Sequence, residues 1–161
     1  MTPFNERPFH DIMNFIGGMI KLDNITIRKN WEEDNLLELK IKAKSKFVNA
    51  YQYCYIQGND LQNIGETIID YVQQDKQECY VEFGKKSGNY TPAFSLQFLQ
   101  TDKSGHVQIE VDIEIDDNDA RSHRCTFYVN SDLGLIEQFG KGLTHISKDN
   151  KMTEIALNKS P

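Results

Sequence analysis

Cysteine is scarce in this sequence, and the spacing of its cysteines excludes the common structural zinc sites. The 161 residues include three cysteines, Cys54, Cys79 and Cys125, without any C-x-x-C pair. Structural zinc sites need paired spacings of that kind. Each cysteine lies inside an apolar, strand-like segment, as expected for reduced core residues of a cytoplasmic protein. We therefore predict a cytoplasmic protein with no metal site and no cofactor.

Long apolar runs are also missing. Nowhere does the chain contain roughly 18 consecutive apolar residues, the length that a membrane-spanning helix requires. The N-terminal segment MTPFNERPFHDIMNFIGGMIKL has one short apolar patch, interrupted by Asn14, and no basic region before it. The sequence therefore predicts no membrane span and no signal peptide.

Recognisable catalytic motifs are absent too. The sequence contains no P-loop, no G-x-S-x-G elbow and no G-x-G-x-x-G loop, and Lys141 between two glycines is not followed by Ser or Thr. We predict a non-enzymatic protein without catalytic residues. The enzymatic alternative uses His106 or His123 with a nearby carboxylate, because each begins a predicted strand and the two imidazoles would meet across a hairpin.

The charge balance narrows the class of partner. The chain has 24 acidic and 18 basic residues and a net charge of −6. Binding to phosphate backbones needs a basic surface, so nucleic acid is not predicted as a partner. A soluble protein that meets basic proteins fits this balance. The otherwise ordinary composition, 39% hydrophobic and 26% charged, predicts one folded domain.

Alternating apolar and polar residues predict an α+β fold. The strand patterns indicate an antiparallel sheet of about six to seven strands with two main helices packed against it. We expect an N-terminal arm over residues 1–18, a single domain over 19–146 and a flexible, polar tail over 147–161. The segment NWEED is expected to be an acidic connection between the first two strands.

Two segments have the apolar spacing of helices. GNDLQNIGETIIDYVQQD is expected to be capped by Asn59 or Asp60, and SDLGLIEQFGKGLTHI by Ser131 or Asp132. The two strand-to-helix junctions, CYIQGNDLQNI and TFYVNSDLGLI, resemble each other. This likeness suggests two half-units that share one sheet, although such junctions favour these residue types in any case.

The segment from Glu110 to Asp119 contains six acids and no base. In a strand, alternate residues share a face, so Glu110, Asp112, Glu114 and Asp116 would form an acidic row. The sixth position of a calcium loop that starts at Asp112 or Asp116 is not Gly, so an EF-hand is excluded. The row is either a solvated face, balanced by a lysine row on a neighbouring strand, or a patch for a basic protein surface. That lysine row consists of Lys40, Lys42 and Lys44.

Aromatic residues are concentrated in KFVNAYQYCYIQ, where Tyr51, Tyr53 and Tyr55 share one face. A strand that is apolar on both sides is usually central, or has one side covered by a helix or by a partner. The tyrosines are also suited to stack on nucleic-acid bases, but in an acidic chain they more often belong to a core or a protein interface. We therefore predict them as anchors for a protein partner.

The order of elements resembles the uncharacterised and WapI-like immunity proteins of bacterial polymorphic toxin systems. The resemblance rests on LLELKIKAKSKFVNAYQYCYIQGNDLQNIGETIIDYV, FSLQFLQTDKSGHVQIEVDIEI and DLGLIEQFGKGL, within residues 19–145. It implies a cytoplasmic, non-enzymatic protein that binds and neutralises a cognate toxin domain.

From these observations we predict a protein-binding module whose partner is a basic toxin domain. One alternative is a small-molecule-binding domain with a pocket between sheet and helix, lined by the Phe94–Phe98 face. The other is an uncharacterised structural or interaction protein. The predicted contact residues are Glu110, Asp112, Glu114, Asp116, Asp117, Asp119, Tyr51, Tyr53 and Tyr55.

Overall fold

The computed structural model describes residues 22–84, 93–115 and 120–158. The predicted N-terminal arm therefore lies outside the described residues. Helix α1 (Gly58–Gln73) follows the third strand, and helix α2 (Leu133–Ile146) follows the seventh. The strands are β1 (Asn24–Glu33), β2 (Leu36–Lys44), β3 (Asn49–Gln57), β4 (Cys79–Phe83), β5 (Ala93–Phe98), β6 (His106–Ile115), β7 (His123–Asp132) and β8 (Glu154–Ala156).

The strands form two four-stranded antiparallel sheets. The first sheet has the order β3-β2-β1-β8 and the second has the order β4-β5-β6-β7. The predicted α+β class, with antiparallel strands and two helices, is confirmed. The described residues form eight strands in two sheets, where a single sheet of about six to seven strands was expected. Residue alternation identifies a strand and its buried face, but it does not identify the neighbour with which that strand pairs.

Each sheet buries one face in a core that the two helices share. The inward residues of β2, which include Leu37, Leu39 and Ile41, are fully buried. The inward residues of β5 and β6 join the same core cluster, as do Ile68 of α1 and Phe139 of α2. Both sheets therefore leave their other face directed away from this core.

The two helices approach each other closely at a pair of glycines. A Cβ atom built on Gly65 would lie 2.6 Å from the carbonyl oxygen of Gly140. A Cβ atom built on Gly140 would lie 2.9 Å from the carbonyl oxygen of Gly65. Distances this short leave no room for a side chain, so the backbones meet directly. The intrinsic cost of glycine in a helix is thus offset by packing.

The predicted flexible tail is wrong for residues 154–158. The strand Glu154–Ala156 pairs with β1, and Ile155 and Leu157 are buried. Asn158 donates from its side chain to the carbonyl oxygens of Asp23 (2.7 Å) and Asn130 (2.9 Å). The residues that this segment contacts lie far away in the sequence, and its strand of three residues is too short to show a periodic pattern. The segment consequently looked like an unstructured polar terminus.

The predicted connection NWEED and one helix cap also need correction. β1 continues through Glu33, and the turn consists of Asp34 and Asn35, both with positive φ. Asp and Asn tolerate this conformation, which matches the twist of a two-residue hairpin. Helix α1 begins after Gln57 without a side-chain cap, whereas Asp132 caps α2 by accepting from the Leu135 N–H at 2.9 Å, as predicted.

Both repeated segments span a strand-to-helix junction, as the sequence suggested. CYIQGNDLQNI contains the end of β3 and the start of α1, and TFYVNSDLGLI contains the end of β7 and the start of α2. The two half-units do not share one sheet, however, because β3 and β7 lie in different sheets. They meet mainly through their helices.

We predict that Gly65→Ala lowers the free energy of unfolding by about 1–3 kcal/mol, because the new methyl group overlaps a backbone carbonyl that cannot move without shifting α2. Urea denaturation measures the change. Gly134→Ala is the matched control, since its Cβ meets nothing closer than 3.4 Å. The control should raise stability by up to about 1 kcal/mol. Equal effects in both variants would contradict the close helix contact.

Candidate protein-interaction faces

The three predicted tyrosine anchors lie on the outer face of the first sheet. Tyr51, Tyr53 and Tyr55 are 57%, 40% and 44% exposed, while the alternating Cys54 and Ile56 are buried. β3 is an edge strand of its sheet. β3 is therefore not a central strand, and its buried side is covered by the core. Large aromatic groups on one side of β3 point away from the core.

The predicted lysine row lies directly beside these tyrosines. The register between β2 and β3 places Lys40 opposite Tyr53 and Lys42 opposite Tyr51. The Lys40 ammonium lies 4.9 Å from the Tyr51 ring centroid and 5.5 Å from that of Tyr53. The two rings meet edge to face at 6.1 Å. Cation–π and ring contacts therefore organise the aromatic groups before any partner binds.

A bulge in β1 brings Trp31 to the same face. The register with β2 shifts between Lys29 and Trp31, so that Trp31 pairs with Glu38. Lys29 and Trp31 would share a face in a regular strand, yet Lys29 is buried and Trp31 is 44% exposed. The extra residue of a bulge reverses the alternation. Trp31 was not predicted as a surface residue of this face, because a bulge leaves no signal in residue periodicity.

We call this outer surface of the first sheet the tyrosine face. Its bases outnumber its acids four to two, although the whole chain carries a net charge of −6. Arg28 stands between Lys40 on β2 and Glu154 on β8, so it faces one like charge and one opposite charge. The tyrosine face consists of Arg28, Trp31, Glu38, Lys40, Lys42, Lys44, Tyr51, Tyr53, Tyr55 and Glu154.

One of the tyrosines is held by an acid on the neighbouring strand. The Tyr55 hydroxyl donates to Oε2 of Glu38 at 2.8 Å. The hydrogen bond to this carboxylate raises the pKa of Tyr55, because a phenolate would face a negative charge. Among the described residues, no hydrogen bond is formed by the hydroxyls of Tyr51 and Tyr53.

The predicted acidic row lies on the outer face of the second sheet. Glu110 and Glu114 are half-buried there, and Asp112 is buried. β6 is not a neighbour of β2, so the lysine row does not balance these acids. Asp116, Asp117 and Asp119 lie outside the described residues. The predicted contact residues are therefore divided between two faces of the molecule.

The acids of this row are engaged by neighbours in their own sheet. Both carboxylate oxygens of Asp112 accept from Nε of Arg124, at 2.9 and 3.1 Å, and Oδ2 also accepts from Nη2. The ion pair raises the pKa of Arg124. Glu110 accepts from the Tyr128 hydroxyl at 2.8 Å, which raises the pKa of Tyr128. The row is thus partly balanced by its own sheet.

The histidines do not come together. His106 pairs with Asp132 and His123 with Ile115, which places the two imidazoles at opposite ends of the β6–β7 ladder. Nδ1 of His106 lies 3.2 Å from Oδ2 of Asp102. Asp102 also accepts the backbone N–H groups of Ser104 and His106, as a residue that shapes a tight turn does.

The Phe94–Phe98 face forms part of the closed core. Phe94, Leu96 and Phe98 are fully buried. A cleft of ≈ 470 Å³ lies elsewhere, where the ends of β3 and β4 meet the start of α1. Its walls include Tyr55, and the acids Asp60 and Glu82. Within the described ranges, the predicted apolar ligand pocket between sheet and helix is filled by side chains.

No family model matches this chain, and the comparisons with curated proteins and with solved structures also found no match. Within residues 22–84, 93–115 and 120–158, no group of three or more His, Cys, Asp or Glu side chains is arranged to hold a metal ion. No helix in the described part of the chain combines the length and apolar character needed to cross a membrane.

We predict that Glu38→Gln lowers the pKa of Tyr55 towards its ordinary value of about 10, because the carboxylate that opposes phenolate formation is removed. The measurement is a tyrosine-ring carbon NMR titration. Tyr128 serves as the internal control and should keep its raised pKa. Glu110→Gln should give the reverse pattern. If either variant shifted the pKa of both tyrosines, the two tyrosine–glutamate pairs would not be independent.

We also predict that Asp112 and Glu114 of the acidic row tolerate substitution very differently. Asp112→Lys should lower the free energy of unfolding by about 3 kcal/mol, because it buries a base beside Arg124. Glu114→Gln should change it by about 0.5 kcal/mol or less. Urea denaturation of the two variants tests this difference, and similar midpoints would show that Asp112 is not the buried member of the row.

Proposed function

We propose that this chain is a non-enzymatic protein-binding module and that the tyrosine face is its docking surface. The observation that carries the proposal is a cluster of exposed aromatic groups beside bases. Five of the eight large apolar side chains that are exposed in the described residues belong to the segment of β1 to β3. These five are Trp31, Phe47, Tyr51, Tyr53 and Tyr55.

The residue types on this face favour a protein partner. Binding energy at protein interfaces is concentrated in Trp, Tyr and Arg, which bury large areas at a small cost in side-chain entropy. Lys40 and the ring-to-ring contact already restrict Tyr51 and Tyr53, so less freedom is lost on binding. The face therefore offers preorganised anchors surrounded by charged groups.

The charge of the face favours a partner that is acidic at the contact. The sequence-based hypothesis of a basic toxin domain joined the tyrosines to the acidic row, but these groups lie on different sheets. A partner anchored on Tyr51 and Tyr53 meets Lys40 and Lys42 as well. Complementary charge would speed encounter and fix orientation, while the aromatic anchors would supply most of the affinity.

For the cellular role, we propose neutralisation of a toxin domain in the cytoplasm. The role itself rests on the resemblance of the sequence to immunity proteins. The cytoplasm fits the cysteine chemistry, because the three cysteines are free thiols. Burial raises the pKa of the Cys54 thiol to about 12 and that of Cys79 to about 11, so both resist oxidation.

A site-specific photo-cross-linker tests the docking surface. We expect benzoylphenylalanine at Tyr53 to capture one stoichiometric protein in the native cell. The same group at Tyr128, an equally exposed tyrosine of the second sheet, should capture none. Replacing Tyr51 and Tyr53 by Ser should weaken the purified complex by about 2 kcal/mol per anchor, or roughly thirtyfold each. Capture from Tyr128 alone would indicate that the acidic row is the docking surface. Absence of capture from both positions would refute the proposed protein-binding function.

A further inference from the structure

The outer edge of β3 is long and regular and carries no charge. Its nine residues, NAYQYCYIQ, include no Lys, Arg, Asp, Glu, Pro or Gly. The pairing with β2 runs from Asn49 to Gln57 without a register shift. Proteins usually protect such an edge with a charge, a proline, a bulge or a covering element. None of the first three devices is present in β3, and no strand of the described residues pairs with its outer side.

The hydrogen-bond pattern shows which backbone groups of β3 face outwards. The Gly58 N–H donates to the Asn35 carbonyl at one end of the β2–β3 hairpin, and the Ser45 N–H donates to the Val48 carbonyl at the other. Hydrogen-bonded and non-hydrogen-bonded pairs alternate in an antiparallel ladder. The hydrogen bonds at both ends therefore assign the same alternation of pairs along the β2–β3 ladder. In this alternation the exposed tyrosines belong to non-hydrogen-bonded pairs. Their N–H and C=O groups point towards the outer edge, with which no described strand pairs.

The same three residues thus present both side chains and backbone groups to a partner. Tyr51, Tyr53 and Tyr55 alternate along the strand, so their side chains stand about 6.5–7 Å apart on one face. A segment that adds to a sheet edge gains affinity from backbone hydrogen bonds and specificity from alternate side chains. β3 supplies the two sets of contacts in register.

The charges beside the edge indicate the chemistry of that segment. Lys42 faces Thr26 on one side and Tyr51 on the other, so no acid stands directly across from it on a neighbouring strand. Lys40 likewise has no acid directly across from it, because it faces Arg28 and Tyr53. Carboxylates on an added strand would lie two strand spacings from β2 and would face Lys40 and Lys42 across the tyrosine rings.

We infer that the partner of the proposed docking surface is a protein segment in extended conformation with alternating acidic side chains, which adds as a fifth strand to the β3 edge of the first sheet. This inference rests on the proposed function, because it names the form of the partner at the same face. It makes binding dependent on backbone donors as well as on charge.

The test uses the whole chain and a labelled acetylated peptide of alternating Glu and Val. Binding should fall about tenfold or more when alternate peptide nitrogens are methylated, because methylation removes the donors for the β3 edge. A peptide of alternating Lys and Val should not bind. Binding should also weaken about tenfold in the Tyr51→Ser, Tyr53→Ser variant and remain unchanged in the matched Tyr80→Ser, Tyr128→Ser variant.

Hydrogen exchange provides a second test, because attraction by charge alone would not protect alternate backbone amides of β3. The amides of Tyr51, Tyr53 and Tyr55 should become protected when the peptide binds. The amides of Gln52 and Cys54, which already bond to β2, should show little further change. Protection spread evenly over β2 and β3 would overturn strand addition in favour of attraction to the whole face.

Three further outcomes would overturn the inference. Equal binding of the methylated and unmethylated peptides would show that the peptide does not add to β3 as a strand. Tighter binding of a short oligothymidylate would make the tyrosine face a platform for nucleic-acid bases. Concentration-dependent dimerisation that protects the same three amides would assign the edge to a second copy of the chain. If the methylated peptide still binds and Tyr53 still cross-links a protein, the proposed function survives without the strand.

Discussion

The close contact of α1 and α2 at Gly65 and Gly140 is the constraint on which the rest of this structure depends. Two helices whose backbones touch can cover the inner faces of two sheets at once, so one core serves both half-units. Because the helices and the sheets fill the interior, the outer face of each sheet points away from the core. The molecule thus has two separate surfaces available for recognition.

These two surfaces differ in how their charges are compensated. On the second sheet, Arg124 binds Asp112, and Tyr128 binds Glu110, so much of the acidic row is engaged within its own sheet. On the tyrosine face, Lys40 and Lys42 have no acid directly across from them, and Lys40 lies against two tyrosine rings. Bases without an opposing acid thus stand beside preorganised aromatic groups. This contrast favours the tyrosine face as the binding surface.

Small departures from regular geometry shape that surface. The bulge in β1 adds Trp31, the two-residue turn at Asp34 and Asn35 brings β2 back beside it, and β8 closes the far side of the sheet at Glu154. β3, in contrast, has no irregularity. The irregular strand therefore supplies an additional aromatic group, while the regular strand keeps an intact edge.

The sequence by itself determined the local features: seven of the eight strands, both helices, the Asp132 cap and the α+β class. Each follows from alternation or from a residue's intrinsic preference, which act over a few neighbouring positions. Only the tertiary structure decided that the lysines neighbour the tyrosines, that Asp112 is buried, that residues 154–156 pair with β1 and that Trp31 turns outwards. Those outcomes depend on strand order, register and a bulge, which are set by contacts between residues far apart in the chain, and such contacts leave no periodic signal in the sequence.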